Sequence, residues 1–243
     1  MNLRTVFDFD ELNRIWDGTE KTAKDMEKIL EGAYMLGVEY AYDVAKEQGY
    51  DEDSIDDLVD ISLLNDSVYR KTDGKTFEDR LSERVPLSKA DLKRLSDEKK
   101  VSKNELKTAK GKGVSGAPTQ ATRGRTTGKE TSTAPVQTTR GRTKGEIKTL
   151  LESEYHRVFN DASSDTAKKI EKKLGKKGTK TWATMRDDRV RDTHEYLEGQ
   201  TVSIDEKFYT FDGDSAYAPG GFSTAENNAN CRCVLKFNFN IGK

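Results

Sequence analysis

Trp182-Ala183-Thr184-Met185-Arg186-Asp187-Asp188-Arg189-Val190-Arg191-Asp192-Thr193-His194, followed later by Asn230-Cys231-Arg232-Cys233, is the pair of stretches on which the reading of this chain turns. The 243 residues include two cysteines and two histidines; both cysteines and one histidine fall here. Cys231 and Cys233 stand at i and i+2, so on an extended strand both side chains leave one face. Their α-carbons are then nearly 7 Å apart, ~3.4 Å per residue, at or beyond the reach of a mutual disulfide. Two thiolates on one face can hold zinc together with His194 and a carboxylate such as Asp187. The rival reading needs no cofactor: two small cysteines pack as hydrophobes. The C-x-C spacing, unlike the usual zinc knuckle, and the lack of a second cysteine pair favour that plainer reading.

Asp187, Arg191 and His194 would share one side of a helix predicted over 188–197. With Glu154 they suggest an acid–base site, two carboxylates and an imidazole as proton carrier. The same residues suit a buried polar network with Arg189 or Arg191 paired to Glu154. No nucleophile motif accompanies them, so the network is preferred. Trp182 reads as core.

Upstream lies the best amphipathic pattern in the chain: Ile147, Leu150, Leu151, Tyr155, Val158, Phe159 and Ala162 follow helical spacing. Glu154 falls inside that stripe and needs a partner, with Arg157 one turn on. His156 falls on the opposite face, towards solvent. A second, lysine-rich helix is expected over 166–174, then a Gly-Lys-Lys-Gly break. Strands are expected at 179–184, 201–204, 208–211 and 231–239. The fold class is therefore α+β, with a small C-terminal domain carrying a short antiparallel sheet.

Residues 101–145 form a basic linker of another character. Ala117-Pro118-Thr119-Gln120-Ala121-Thr122-Arg123-Gly124-Arg125-Thr126 returns 17 residues later as Ala134-Pro135-Val136-Gln137-Thr138-Thr139-Arg140-Gly141-Arg142-Thr143. The repeat is too short and polar to bury a core of its own. It reads as a duplicated flexible tether, or as an arm whose Arg123, Arg125, Arg140 and Arg142 fork onto phosphates of double-stranded DNA. With no aromatic between 107 and 145 to stack on bases, such binding would have little sequence preference.

Residues 1–100 read as an acidic helical domain. A helix over 22–48 carries Met26, Leu30, Ala33, Gly37, Tyr40, Ala41 and Val44 on one stripe and stops at Gly49. Around Tyr34–Val38 it is apolar on most faces and should be packed on several sides. A second helix is expected from Ser54, with Asp57 in its first turn, and a turn at Asp73-Gly74. Charge is segregated: residues 1–99 hold 15 basic against 25 acidic side chains, residues 100–145 hold 11 against 2, and the remainder is balanced. Such polarity suits a basic partner at one end and a polyanion in the middle. No signal peptide or membrane span is evident, which implies a cytosolic site of synthesis with reduced thiols and no membrane partner.

Leu151-Glu152-Ser153-Glu154-Tyr155-His156-Arg157-Val158-Phe159-Asn160 resembles the Thr-Glu-x-x-Arg-x-x-Asn helix of the Mu F-like head-morphogenesis proteins of tailed bacteriophages. Trp182, Asp187, Arg189-x-Arg191, His194, Leu197-Glu198-Gly199, Phe208, Pro219-Gly220 and Asn230-Cys231-Arg232-Cys233 continue the resemblance over about residues 147–236. Ser153 departs from the usual threonine, and the Thr-Arg-Gly-Arg repeat has no counterpart. The resemblance implies a minor structural head protein of the virion. It would dock on the portal protein and the capsid interior during procapsid assembly, in the host cytoplasm, and touch packaged DNA or aid its exit. It also carries over Glu154, Arg157, Trp182, Asp187, Arg189, Arg191, His194, Asn230, Cys231 and Cys233 as candidate site residues, with no agreed catalytic role. The alternatives are a metal-dependent enzyme and a DNA-binding adaptor delivered with the virion.

Overall fold

The computed structural model describes residues 23–50, 59–68, 77–83, 85–91, 93–94, 97, 139–140 and 142–239. The expectations at Ser54, Asp57 and Asp73-Gly74, and most of the repeat including Arg123 and Arg125, lie outside them. The described elements are α1 (Ala23–Glu47), α2 (Ile61–Val68), α3 (Phe77–Ser82), β1 (Val85–Pro86), β2 (Thr139–Arg140), α4 (Lys144–Leu174), β3 (Thr179–Ala183), α5 (Asp192–Glu195), β4 (Thr201–Ser203), β5 (Phe208–Tyr209), β6 (Ser215–Ala216), α6 (Ala225–Asn228) and β7 (Val234–Asn238). Helices and antiparallel strands mix as an α+β fold.

Two compact units emerge, one joining residues up to Ser82 with those from Thr143 onward, the other within Glu83–Arg142. Charge separates the acidic N-terminal segment from the C-terminal one, but the apolar stripe of α1 needs cover, and α4 supplies it.

That stripe is buried as expected at Met26, Leu30, Ala33, Tyr40 and Ala41, joined by Tyr34, Val38 and Ala45. Met35 and Leu36 stay exposed, so α1 is packed on fewer sides than its sequence suggests. Gly37 lets the two long helices touch: a Cβ there would stand 2.3 Å from the Phe159 carbonyl oxygen and 2.8 Å from the Ala162 Cβ. Gly49 ends the run with φ +88, a conformation that favours glycine.

α4 opens on a capping box, Thr143 and Glu146 satisfying each other's backbone N–H groups, and closes on left-handed Gly175. It is one 31-residue helix, not two. The polar run Asn160-Asp161-Ala162-Ser163-Ser164 looks like a break, yet all five residues are buried in mid-helix. Ser163 donates to the carbonyl of Asn160, and Asp161 accepts from Arg157. Those bonds lie within the helix; the tertiary contacts that override the weak local propensity are the Asn160 amide on the carbonyl of Cys233 and the close approach of Gly37 to Ala162.

β3 is the central strand of an antiparallel sheet ordered β4-β3-β7. On β7 the Tyr40 hydroxyl donates to the Leu235 carbonyl. The Gln48 amide donates to Phe237 and accepts from the Phe239 N–H, so α1 serves this strand as a side-chain partner. The hairpin β5–β6 covers the Trp182 side of the sheet, with the Trp182 and Phe208 ring centroids 5.2 Å apart.

In the second unit β1 pairs antiparallel with β2, Val85 opposite Arg140. Arg140 donates to Asp91 at 3.0 Å and Arg142 to Glu83 at 3.3 Å.

Candidate functional site

Three of the predicted residues converge. His194 comes from α5, while Cys231 and Cys233 come from the extended lead into β7. The Nδ1 of His194 lies 3.6 Å from the Cys231 sulfur and 3.4 Å from that of Cys233. All three ligand atoms lie within 4.8 Å of one another, and all three residues are buried. Both thiols are free. The imidazole is walled by Trp182, edge-on with ring centroids 5.5 Å apart, and by Phe222 at 5.4 Å. Its Nε2 is buried without a hydrogen-bond partner among the described residues. The hydrogen bond from Cys233, then that from the His194 ring, holds the Cys231 thiol well below its ordinary range despite burial. Cys233 is pushed the other way by that same bond and by burial.

The helix α4 grips the cysteine segment at both ends. The Ser153 hydroxyl accepts from the backbone N–H of Asn230, and the Asn160 amide donates to the carbonyl of Cys233. Asn230 itself takes φ +55, a left-handed turn that asparagine tolerates. Ser153 and Asn160 sit at i and i+7, one face of the helix, and this bracketing was not anticipated from the sequence. The spacing was visible; what lay opposite was not.

The other candidates separate. Glu154 accepts from Arg157 at 2.9 Å and from Arg80 at 2.6 Å, not from Arg189 or Arg191. Arg157 also donates to Asp161 and to the carbonyl of Ser67, which closes its guanidinium valences inside the fold. That network leaves the Glu154 carboxylate fully engaged, so the predicted acid–base set with His194 is not assembled. Asp187 takes the Arg232 guanidinium bidentately at 2.7 and 2.8 Å, which holds its carboxyl low, at about 2. It is no fourth partner for the sulfur cluster. The predicted helix over 188–197 shrinks to the single turn of α5, because Arg191 swings out to donate to the carbonyls of Glu226 and Ala229. Arg189 is exposed and stands 3.7 Å from Asp187. His156, expected in solvent, is buried at 4% exposure, and burial holds its imidazole neutral down to about pH 3. The loops after β3 and before β7 cover the helix face that a single-helix wheel assigns to water. Trp182 is fully buried in the core, as read.

A cleft of about 1020 Å³ opens beside the cluster, lined by Ser153, His156, Asp187 and the arginines 186, 189, 191 and 232. A much smaller cavity of about 10 Å³ touches His194, Cys231 and Cys233 themselves.

The family model described as Phage Mu protein F like protein matches residues 112–236, just over half the chain. The chain belongs to this family. Among curated proteins, this Mu F-like chain is 34% identical over 83 residues to the minor head protein GP7 of Bacillus phage SPP1, covering 34% of the chain and 26% of that protein. It is 42% identical over 63 residues to the NAD(+)–arginine ADP-ribosyltransferase EFV of Enterococcus faecalis (strain ATCC 700802 / V583), covering 26% of the chain and 13% of that protein. The Mu F-like chain thus spans well under two thirds of either relative. No solved structure matches it. None of the described helices is long and apolar enough to cross a membrane.

Proposed function

We propose that this Mu F-like protein is a minor structural component of a tailed-phage head, acting beside the portal during procapsid assembly and retained inside the capsid near packaged DNA. The observation that carries the reading is the stretch it shares with a phage minor head protein, set on a family match over 112–236. Two physical features support it. The cleft sets four arginines against Glu152 and Asp187, a cationic surface suited to an acidic partner or to phosphate. The repeat adds further lysine and arginine to the middle of the chain. The buried Glu154–Arg157–Asp161 network is spent on the fold, which favours a structural role over acid–base catalysis. The transferase match covers too little of that enzyme to lend its activity to this chain.

Mass spectrometry of purified virions tests the reading: peptides of this chain should appear at low copy number and crosslink to the portal protein. Their absence from intact heads would exclude it. The DNA-adaptor reading separates from this one by salt dependence. If residues 107–145 bind duplex DNA, affinity falls steeply with salt and disappears on their deletion.

A further inference from the structure

We propose that His194, Cys231 and Cys233 form a zinc centre, with a water completing its fourth position from the small cavity beside them. The geometry carries the argument. A tetrahedral zinc with bonds of ~2.3 Å to sulfur and ~2.1 Å to nitrogen sets nitrogen–sulfur edges of about 3.6 Å. The two observed edges are 3.6 and 3.4 Å. The three ligand atoms, all within 4.8 Å of one another, therefore surround a point at bonding distance from each. The residues are 2–4% exposed, so the ion would be shielded from bulk water.

The donors themselves favour a metal over a bare cluster. In the metal-free state the Nδ1 tautomer of His194 leaves a poor contact. A proton on Nδ1 meets only sulfur, a weak acceptor, and leaves the Nε2 lone pair facing Trp182 and Phe222 with no donor. A metal on Nδ1 takes the lone pair of that nitrogen and leaves the proton on Nε2, where aromatic π-density is a better neighbour for N–H than for a lone pair. Two thiolates offset the charge of a divalent ion, and soft sulfur with imidazole selects zinc over magnesium or calcium. The cavity of about 10 Å³ has room for roughly one water-sized ligand. Among the described residues no fourth histidine, cysteine or carboxylate joins the group, which is why water takes the remaining position.

Preorganisation is visible as well. Ser153 and Asn160 fix the backbone on either side of the two cysteines before any ion arrives. The centre would then staple the α5 turn to the lead into β7.

The chain lends itself to a clean test, because it holds only these two cysteines. Full-length protein prepared without chelator should carry near-stoichiometric zinc by plasma mass spectrometry. After stripping, cobalt(II) should give tetrahedral d–d bands and a thiolate-to-cobalt charge-transfer band, and zinc should bleach both. Native alkylation of Cys231 and Cys233 should slow several-fold when zinc is restored. Cys233→Ser should weaken the charge-transfer band, and His194→Gln should shift the d–d bands. If a variant fails to fold, the wild-type readings still decide. Folded wild-type protein that is metal-free and gives no charge-transfer band overturns the proposal, as does bound zinc whose cobalt substitute shows no sulfur ligation.

Discussion

Helix α4 supports two buried polar clusters, and they are finished to different degrees. Around Arg157 each of the three guanidinium nitrogens meets an oxygen, from Glu154, Asp161 and the carbonyl of Ser67. Around His194 the partners are sulfur, aromatic rings and a void. A completed ionic network consumes its chemistry in holding helices together. An incomplete one retains valence for something else. The contrast separates residues of one motif that look equivalent when written in a line.

The most severe way to break the finished cluster is Arg157→Ala. It removes the cation shared by two buried carboxylates, Glu154 and Asp161, and the loss should be about 3–5 kcal/mol, read from denaturant midpoints. Next comes the contact on which α1 rests. Gly37→Ala drives a methyl into the backbone oxygen of Phe159, which cannot move aside, and should cost about 1–3 kcal/mol by the same measurement.

Acid offers a reagent-free comparison. His156 titrates near 6.5 in an unfolded chain but only at about 3 in the fold. Between those values the unfolded state binds a proton that the native state refuses. Stability is fully present above about pH 6.5 and declines as pH falls towards 3. His156→Gln should flatten that part of a melting-temperature profile. Lys180 gives the mirror test in base. Its amine is buried against the carbonyl of Tyr217 and the ring of Phe208, and burial, then the charge of Lys168, lowers it to about 8. Stability should therefore rise from about pH 8 to 10.5 as the unfolded chain sheds its extra proton, and Lys180→Met should remove the slope. The smallest effect belongs to Asp187→Asn: the pair with Arg232 is solvent-screened, so the melting temperature should hardly move.

Much of this was legible in the sequence, for reasons particular to each element. α1 announced itself at both ends through an apolar stripe and a terminal glycine, and the ends of β3 and β4 fell within a residue of expectation. The meeting of His194 with Cys231 and Cys233 was visible in scarcity: few such residues, placed close together. The unity of α4 was not, because Ser163 and Ser164 look like loop until their tertiary surroundings are known. Nor was the fate of His156 or Glu154. A helical wheel registers one buried face, whereas α4 is covered on several, and partner choice across 74 residues, as between Arg80 and Glu154, leaves no local trace. The bracketing by Ser153 and Asn160 was hidden for the same reason.

The unit that includes α1, α4 and β7 is assembled from two stretches separated by residues 83–142. In sequence that segment interrupts the unit, and for a flexible loop doubling the length costs only about 0.6 kcal/mol. A change in the number of 17-residue repeats that keeps Thr139–Thr143, which supply β2 and the cap of α4, should therefore leave the two long helices able to find each other.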